Sequence, residues 1–298
     1  MKIGLVTVTY NSEQVLVDFL KSVKEQNYND YCLYVVDNDS KDNTIEILKG
    51  EKDSKVIFND ENLGVACANN QGVEWALKDG CDFALLINND TVFEKELLNK
   101  LVDAHHKYKV SIVVPKMKYF DTNIIWCAGG FFNSKKALLN YHCGQGEQDK
   151  RQFKDGFVDY SPVCCSLIHK SVFEDVGFFD EKYFVYFDDA DFFYRVKKSK
   201  IHKTFFIEDV EFYHKIGSLS KSREQIDNSK YSPFFIQQMT KNHVYFLRKQ
   251  QTLLTSFLLF YVFVYFMARF LISPCFPKNV KTLKLILSSY FNGFKIKI

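Results

Sequence analysis

The sequence predicts an α/β protein with a mostly parallel central sheet flanked by helices, followed by a C-terminal hydrophobic and amphipathic helical tail. Three observations carry that prediction. Over about the first ninety residues, short apolar runs alternate with longer segments whose apolar residues recur at helical spacing. The runs end in clusters of Thr, Asn and Asp, the composition expected at strand tips. From residue 252 onward the chain becomes a long aromatic and aliphatic stretch with basic residues at both flanks.

Taken in order, residues 3–9 are a short buried strand, and Ser12 can cap a helix with apolar positions Val15, Leu16, Phe19, Leu20 and Val23. Residues 31–36 form a second strand, and Asp39 or Ser40 caps a helix through Thr44, Ile45 and Leu48. A third strand covers 56–58, a helix 65–78 and a fourth strand 83–87. Such alternation implies a parallel sheet covered on both faces, with ligands bound beyond the carboxyl ends of its strands. The loops 9–11, 37–39 and 88–90 fall at those ends and should converge. A helix over 94–106 and a strand over 110–115 follow, and 124–133 and 156–165 are strand-rich but less regular. Residues 171–176 make a short helix ended by Gly177, 188–198 a helix and 203–207 a strand.

The tail opens with a helix over 225–248 that Pro233 either breaks or starts. Residues 252–272 are long enough to span a bilayer, yet they carry Tyr, Thr, Ser and Arg269. Residues 278–298 space Val280, Leu283, Leu285, Ile286 and Leu287 among lysines. The pattern favours helices lying in a membrane interface, lysines toward anionic headgroups, over a spanning helix or a buried packing helix.

Composition narrows the function. A chain of 298 residues, 47% hydrophobic and 25% charged, makes one large or two small domains with a full core. Its 30 Phe and 17 Tyr suit a sugar or base pocket or a membrane surface, although biased codon usage gives the same excess. A net charge of +3 argues against nucleic acid as a partner. Eight cysteines without a CxxC pair indicate a reducing compartment. The chain enters a strand at once, with no basic n-region or cleavage site, so the expected location is the cytoplasm or the inner face of the membrane.

Three acidic stations carry the chemistry. The first is Val35-Val36-Asp37-Asn38-Asp39-Ser40 beside Thr9-Tyr10-Asn11. A carboxylate there can accept from a base N–H or a ribose hydroxyl, and equally can make an Asx turn and cap a helix. The second is Asn88-Asn89-Asp90-Thr91, where one carboxylate among amides suits Mg²⁺ or Mn²⁺ completed by substrate phosphates; the alternative is a cap for a helix near Phe93. The third is Asp188-Asp189-Ala190-Asp191 within the aromatic run 178–194, with His214 downstream able to complete a metal shell. Carboxylates among aromatic walls acquire raised pKa values and can serve as general bases, while their simplest use is the first turn of a helix. Tyr160, Trp126 and Tyr186 can stack on a sugar, with core packing the simpler role for each.

Five segments carry a resemblance: Val6-Thr7-Val8-Thr9-Tyr10-Asn11-Ser12; Val36-Asp37-Asn38-Asp39-Ser40-Lys41-Asp42; Asn62-Leu63-Gly64 through Asn69-Asn70-Gln71-Gly72; Asn88-Asn89-Asp90-Thr91; and Phe179-Asp180-Glu181 followed by Tyr186-Phe187-Asp188-Asp189-Ala190-Asp191. In this order, over roughly residues 2–220, they resemble family 2 glycosyltransferases, the inverting enzymes with the GT-A fold. The branch of rhamnosyltransferases and galactofuranosyltransferases is the most similar. Asn88 stands where the family's DxD-type metal motif has its first acid, which leaves fewer acidic ligands.

The resemblance implies roles. Thr9, Asn11, Asp37 and Asp39 hold the base and ribose of a nucleotide, and Asn62, Gly64 and Asn70 shape the pocket beside it. Asp90, with His214 as a further ligand, binds a divalent metal ion, Mn²⁺ or Mg²⁺, bridging the diphosphate. Asp189 is the general base, Asp188 a neighbour able to share the task, and Asp191 holds the loop or the helix start. Residues 1–220 form the transferase domain, with 1–94 its nucleotide-binding half and 95–220 its acceptor half, and 221–298 the membrane-associating tail. The implied reaction moves a sugar from dTDP-rhamnose or a UDP-hexose to a hydroxyl of a saccharide acceptor by single displacement. The acceptor is lipid-linked, because the tail brings the site to the bilayer. Two other classes stay open. A non-catalytic nucleotide-binding or membrane scaffold protein needs the acids only as caps. A nucleotidyltransferase is disfavoured because the loop Tyr10-Asn11-Ser12-Glu13 holds no Gly, Lys or Arg.

Overall fold

A computed structural model describes residues 1–215, 231–252, 254–274 and 276–298. At its centre, strands β1 (Ile3–Thr9), β2 (Tyr31–Asp37), β3 (Ser54–Phe58) and β4 (Phe83–Ile87) run parallel in the order β3-β2-β1-β4. Helices α1 (Glu13–Lys24), α2 (Thr44–Gly50) and α3 (Val65–Lys78) make the crossovers. Successive strand residues serve opposite faces: Leu5, Val35 and Leu85 join one core with α1, and Val6, Tyr34 and Leu86 join the other with α3. Burial on both sides is why β1, β2 and β4 read as largely apolar runs, whereas β3, at the edge, does not.

The chain continues through β5 (Thr91–Phe93), α4 (Leu97–Tyr108), β6 (Ile112–Pro115), β7 (Met117–Tyr119), β8 (Ile125–Cys127), β9 (Gly130–Asn133), β10 (Leu139–His142) and β11 (Gly156–Val158). Then come β12 (Cys165–His169), α5 (Lys170–Val176), α6 (Asp188–Ser199), β13 (Thr204–Ile207) and β14 (Phe212–His214). The main sheet has eight strands in the order β11-β13-β6-β12-β4-β1-β2-β3. It is mixed, since β12 runs antiparallel to both β4 and β6. β12 follows an excursion of short strands instead of a crossover helix, so it enters the sheet from the opposite end. A second sheet, β5-β14-β7-β8, and the hairpin β9–β10 flank it.

Several local expectations shift. α2 starts at Thr44 with Asn43, not Asp39 or Ser40, at the cap position. Asp42 accepts there from the Thr44 N–H and hydroxyl at 3.1 and 2.6 Å. The helix expected from Glu94 begins at Leu97, because residues 91–93 pair with β14 as a strand. Asp90 therefore caps no helix near Phe93.

In the tail, α7 (Pro233–Gln250), α8 (Thr255–Ile272) and α9 (Val280–Lys295) follow one another. Pro233 starts α7 in its first turn, where a missing N–H costs nothing. Residues 225–230 of the expected helix, the expected boundary at 220/221 and Cys275 lie outside the described residues. α7 is no appendage: Ile236, Val244, Tyr245, Phe246 and Leu247 are buried in the same cluster as Phe187, Phe192 and Phe193. α8 differs, with mean hydropathy 1.9 and only 11% of its residues buried. By length and composition it could cross a membrane. Phe257, Phe260, Val264 and Leu271 are exposed on it. Its one charge, Arg269, turns back to the hydroxyls of Tyr265 and Tyr231 at 2.7 and 2.8 Å. Residues 231–298 contain nine Lys and Arg and no Asp or Glu.

Candidate active site

The tips of β1 and β2 are knitted into one joint. Asp37 accepts the Thr9 hydroxyl at 2.7 Å, the Ser40 hydroxyl at 2.6 Å and the Ser40 N–H at 2.9 Å, and both Thr9 and Asp37 are fully buried. Asn11, with φ 52°, donates its N–H to the Ser40 hydroxyl at 2.9 Å and accepts from the Lys41 N–H at 2.8 Å. The Asp39 carboxylate pairs with Lys41. Thr9, Asn11, Asp37 and Asp39 thus meet, with the buried pair inside the joint and Tyr10, 43% exposed, on its outside. Asn38 extends the joint by donating to Gly64 O at 3.1 Å.

Asn62 accepts from the Gly64 N–H at 3.0 Å. Gly64 has φ 87°, and a Cβ there would lie 2.5 Å from Phe184 O, so both backbone angle and space demand glycine. The next N–H, of Val65, donates to that oxygen at 2.7 Å. Asn70 clasps residue 179 from both sides, donating to Phe179 O at 2.9 Å and accepting from its N–H at 3.0 Å. Asn62, Gly64 and Asn70 therefore join α3 to the segment that leads into the third acidic station.

At the second station, Asn89 donates to Val8 O at 2.6 Å and to the Ser12 hydroxyl at 3.1 Å. Ser12 sits at the cap position of α1 but makes no side-chain cap; its oxygen serves Asn89 and the Tyr10 N–H instead. Asn88 reaches Cys164 Sγ at 3.3 Å. Buried Asp90 pairs through Oδ1 with His214 Nε2 at 3.0 Å, brought there by the pairing of Thr91 with His214 across β5 and β14. Trp126 lies against the His214 ring, centroids 4.4 Å apart.

At the third station, Asp188 and Asp189 open α6. Asp189 accepts the Tyr160 hydroxyl at 2.6 Å and the Ala190 N–H at 2.7 Å. Burial raises the pKa of both carboxyls, and the neighbouring Asp189 charge helps push buried Asp188 up to about 8. The hydrogen bonds from Tyr160 and Ala190 pull the other way on Asp189 and favour its ionised form. Asp191 faces inward, paired with Arg195 Nε at 2.9 Å and Lys249 Nζ at 2.7 Å.

The second and third stations meet along one wall. The thiol of Cys164 is pushed well up by burial and then by the charges of Asp90 and Asp189, which both act on it. His142, stacked on Tyr160 at 5.8 Å and edge-on to Trp126 at 5.2 Å, is held neutral by burial, its pKa lowered to about 4. A row of side chains runs from Asp90 through His214, Trp126, His142 and Tyr160 to Asp189. Tyr160 and His142 are the members that sequence reasoning missed as partners of the acids. The contact between Tyr160 and Asp189 joins positions 29 apart on different elements and leaves no local signal. Tyr186 packs on Phe235 of α7.

Among the described residues, no group of three or more His, Cys, Asp or Glu side chains could hold a metal ion unaided. Asp90 and His214 offer one carboxylate and one imidazole nitrogen side by side. That set fits Mg²⁺ or Mn²⁺ when substrate oxygens and water fill the other positions. The buried His214 Nδ1 and Asn89 Oδ1 have no hydrogen-bond partner among the described residues.

A family model described as glycosyl transferase family 2 matches residues 5–177, more than half of the chain. The chain is similar to the low-salt glycan biosynthesis hexosyltransferase Agl10 of Haloferax volcanii, 23% identical over 204 residues, covering 67% of this chain and 63% of that protein's length. It is also similar to the dTDP-rhamnosyl transferase RfbF of Shigella flexneri, 27% identical over 254 residues, 82% of this chain and 79% of the relative. Among solved structures, S. aureus TarS 1–349 matches with TM-score 0.59 at 15% identity, covering 98% of this chain and 81% of that one. The mannosyltransferase PcManGT of Pyrobaculum calidifontis, solved with GDP-Man and Mn²⁺, matches with TM-score 0.56 at 12% identity, covering 98% and 80%. These likenesses show the fold, which is the GT-A fold.

Proposed function

The chain belongs to glycosyltransferase family 2, and from that premise we propose that it is an inverting transferase moving a sugar from a nucleotide diphosphate to a saccharide hydroxyl. One observation carries the reading: a carboxylate paired with an imidazole and a carboxylate paired with a phenol are joined by one continuous row of contacting rings, His214, Trp126, His142 and Tyr160. A reaction that breaks a sugar–diphosphate bond while deprotonating an alcohol needs two such poles.

Asp189 is the base. Its ionised form is supported by Tyr160, whereas burial and the charge next door keep Asp188 protonated near neutral pH. The acceptor hydroxyl attacks the anomeric carbon opposite the leaving diphosphate, and Asp189 takes its proton, a contribution of roughly 10²–10⁴-fold. Attack from that side inverts the configuration, and no second carboxylate nucleophile is required. Asp90 and His214 hold a divalent cation, which when bound supplies Lewis-acid stabilisation of the diphosphate charge. Thr9 and Asp37 serve the nucleotide by fixing the joint, Asn11 and Asp39 at its rim by contact, and the exposed Tyr10 ring offers a face to the base. Asn62, Gly64 and Asn70 hold the pocket wall.

The donor we favour is dTDP-rhamnose, the sugar nucleotide class named for the Shigella flexneri relative, with UDP-hexoses next, since TarS has been solved with UDP and with UDP-GlcNAc. Residues 1–220 carry the transferase, 1–94 toward the donor and 95–220 toward the acceptor. The apolar face of α8 and the acid-free basic segment 231–298 support attachment to the inner face of an anionic membrane and a lipid-linked saccharide acceptor. The test is nucleotide release from a panel of dTDP-, UDP- and GDP-sugars with and without Mn²⁺. Asp189→Asn should abolish release while UDP or dTDP still binds; turnover retained in that variant removes the assignment of the base.

A further inference from the structure

The turn that presents Asp188 and Asp189 is held by a helix that the family match does not reach. Tyr186 and Phe187, directly before α6, both adopt left-handed backbone angles, with φ 65° and 70°. Side chains other than glycine take that conformation at a cost, and it persists only where the surroundings dictate it. On one side stands α3, with Gly64 and the Val65 N–H against Phe184 O. On the other stands α7. Fully buried Asn242 donates its amide to Val185 O and to Tyr186 O, each at 2.9 Å. The Phe187 ring lies on His243 and Phe246, centroids 5.0 and 5.7 Å away. Lys249 bridges Asp180 and Asp191 at 2.7 Å each, and the Tyr245 hydroxyl reaches Asp180 at 2.8 Å. One helix thus grips the segment at its entry, at the strained pair and at the first turn of α6.

We propose that Asn242 is a positioning residue for the general base: its amide fixes the carbonyls of Val185 and Tyr186, immediately before and within the left-handed pair, and through them the direction of Asp189. The proposal rests on Asp189 being the base. The chemistry of the position is selective. Two inward carbonyls need a donor amide; leucine leaves both unpaired, and a carboxylate sets acceptor against acceptor. It also explains why α7 is packed into the core rather than trailing with α8.

The experiment compares the full-length chain with Asn242→Leu, with Asn242→Ser as a second variant if the first does not fold, and with Val244→Ala as control. Val244 sits in the same helix, packs against Gly293 of α9 and takes no part in the hydrogen bonds and ring contacts that hold residues 185–187. Hydrogen exchange of residues 183–189, dTDP and UDP binding with Mn²⁺, and donor turnover are measured for each. The expected result is exchange at least tenfold faster in 183–189 and kcat at least tenfold lower in the Asn242 variants. KM and nucleotide binding should stay within about twofold, and Val244→Ala should show neither effect. Unchanged exchange in 183–189 overturns the proposal, as does an equal fall of kcat in Val244→Ala. Wild-type protein that releases nucleotide from no donor overturns the transferase reading instead, and the catalytic half of this proposal with it.

Discussion

Replacing Tyr160 with Phe removes one oxygen and leaves the ring, so it isolates the 2.6 Å hydrogen bond to Asp189. A hydrogen bond to a charged group has a net worth of about 1.5–3 kcal/mol. One pKa unit corresponds to about 1.36 kcal/mol, so losing the bond should raise the pKa of Asp189 by about one to two units. The sign follows from which form the phenol stabilises: it donates to the carboxylate, so its removal disfavours ionisation. A general base must be ionised to act, and the acidic limb of the kcat/KM profile should therefore move to higher pH by that amount. Below the wild-type limb the loss is about ten- to hundredfold, and above the shifted limb the rate returns close to wild type. The assay is nucleotide release between pH 5 and 10 with the donor that the panel selects. A limb that stays in place, with the same fractional loss at every pH, would show that Tyr160 only packs.

Other consequences can be measured directly. Asp188 is a carboxyl whose folded pKa is raised to about 8, so it favours the folded state at low pH and loses that advantage as pH rises toward 8. Asp188→Asn should gain thermal stability relative to wild type from pH 4 to 8; a constant difference in Tm would contradict the burial argument. Asp90→Ala should weaken UDP or dTDP binding at least tenfold in Mn²⁺ and little in its absence; calorimetry showing unchanged Mn²⁺ dependence would remove Asp90 from that role. Phe257→Glu with Phe260→Glu, both at exposed positions of α8, should release the protein from anionic vesicles without changing its Tm. Undiminished co-sedimentation of the double variant would place the membrane contact elsewhere.

Much of the fold was legible because its determinants are local. The five apolar positions of α1, the ends of α3 and the extents of β1 and β4 follow from periodicity and breakers within a single turn or strand. The strand-tip loops were legible for the same reason, and so was their convergence, since parallel strands deliver their ends to one edge. Partners were not. Asp90 is no helix cap because residues more than a hundred positions away arrive to pair with residues 91–93. Asp188 and Asp189 are equivalent neighbours in the sequence and unlike in the fold, where Tyr160 reaches only the second. Arg269 reads as a charge in the apolar stretch, yet two tyrosine hydroxyls take it off the exposed face. A helix or a strand tip is chosen by neighbours along the chain. The hydrogen-bond partner of a buried polar group is chosen by whichever elements pack over it, and only the assembled tertiary structure decides that.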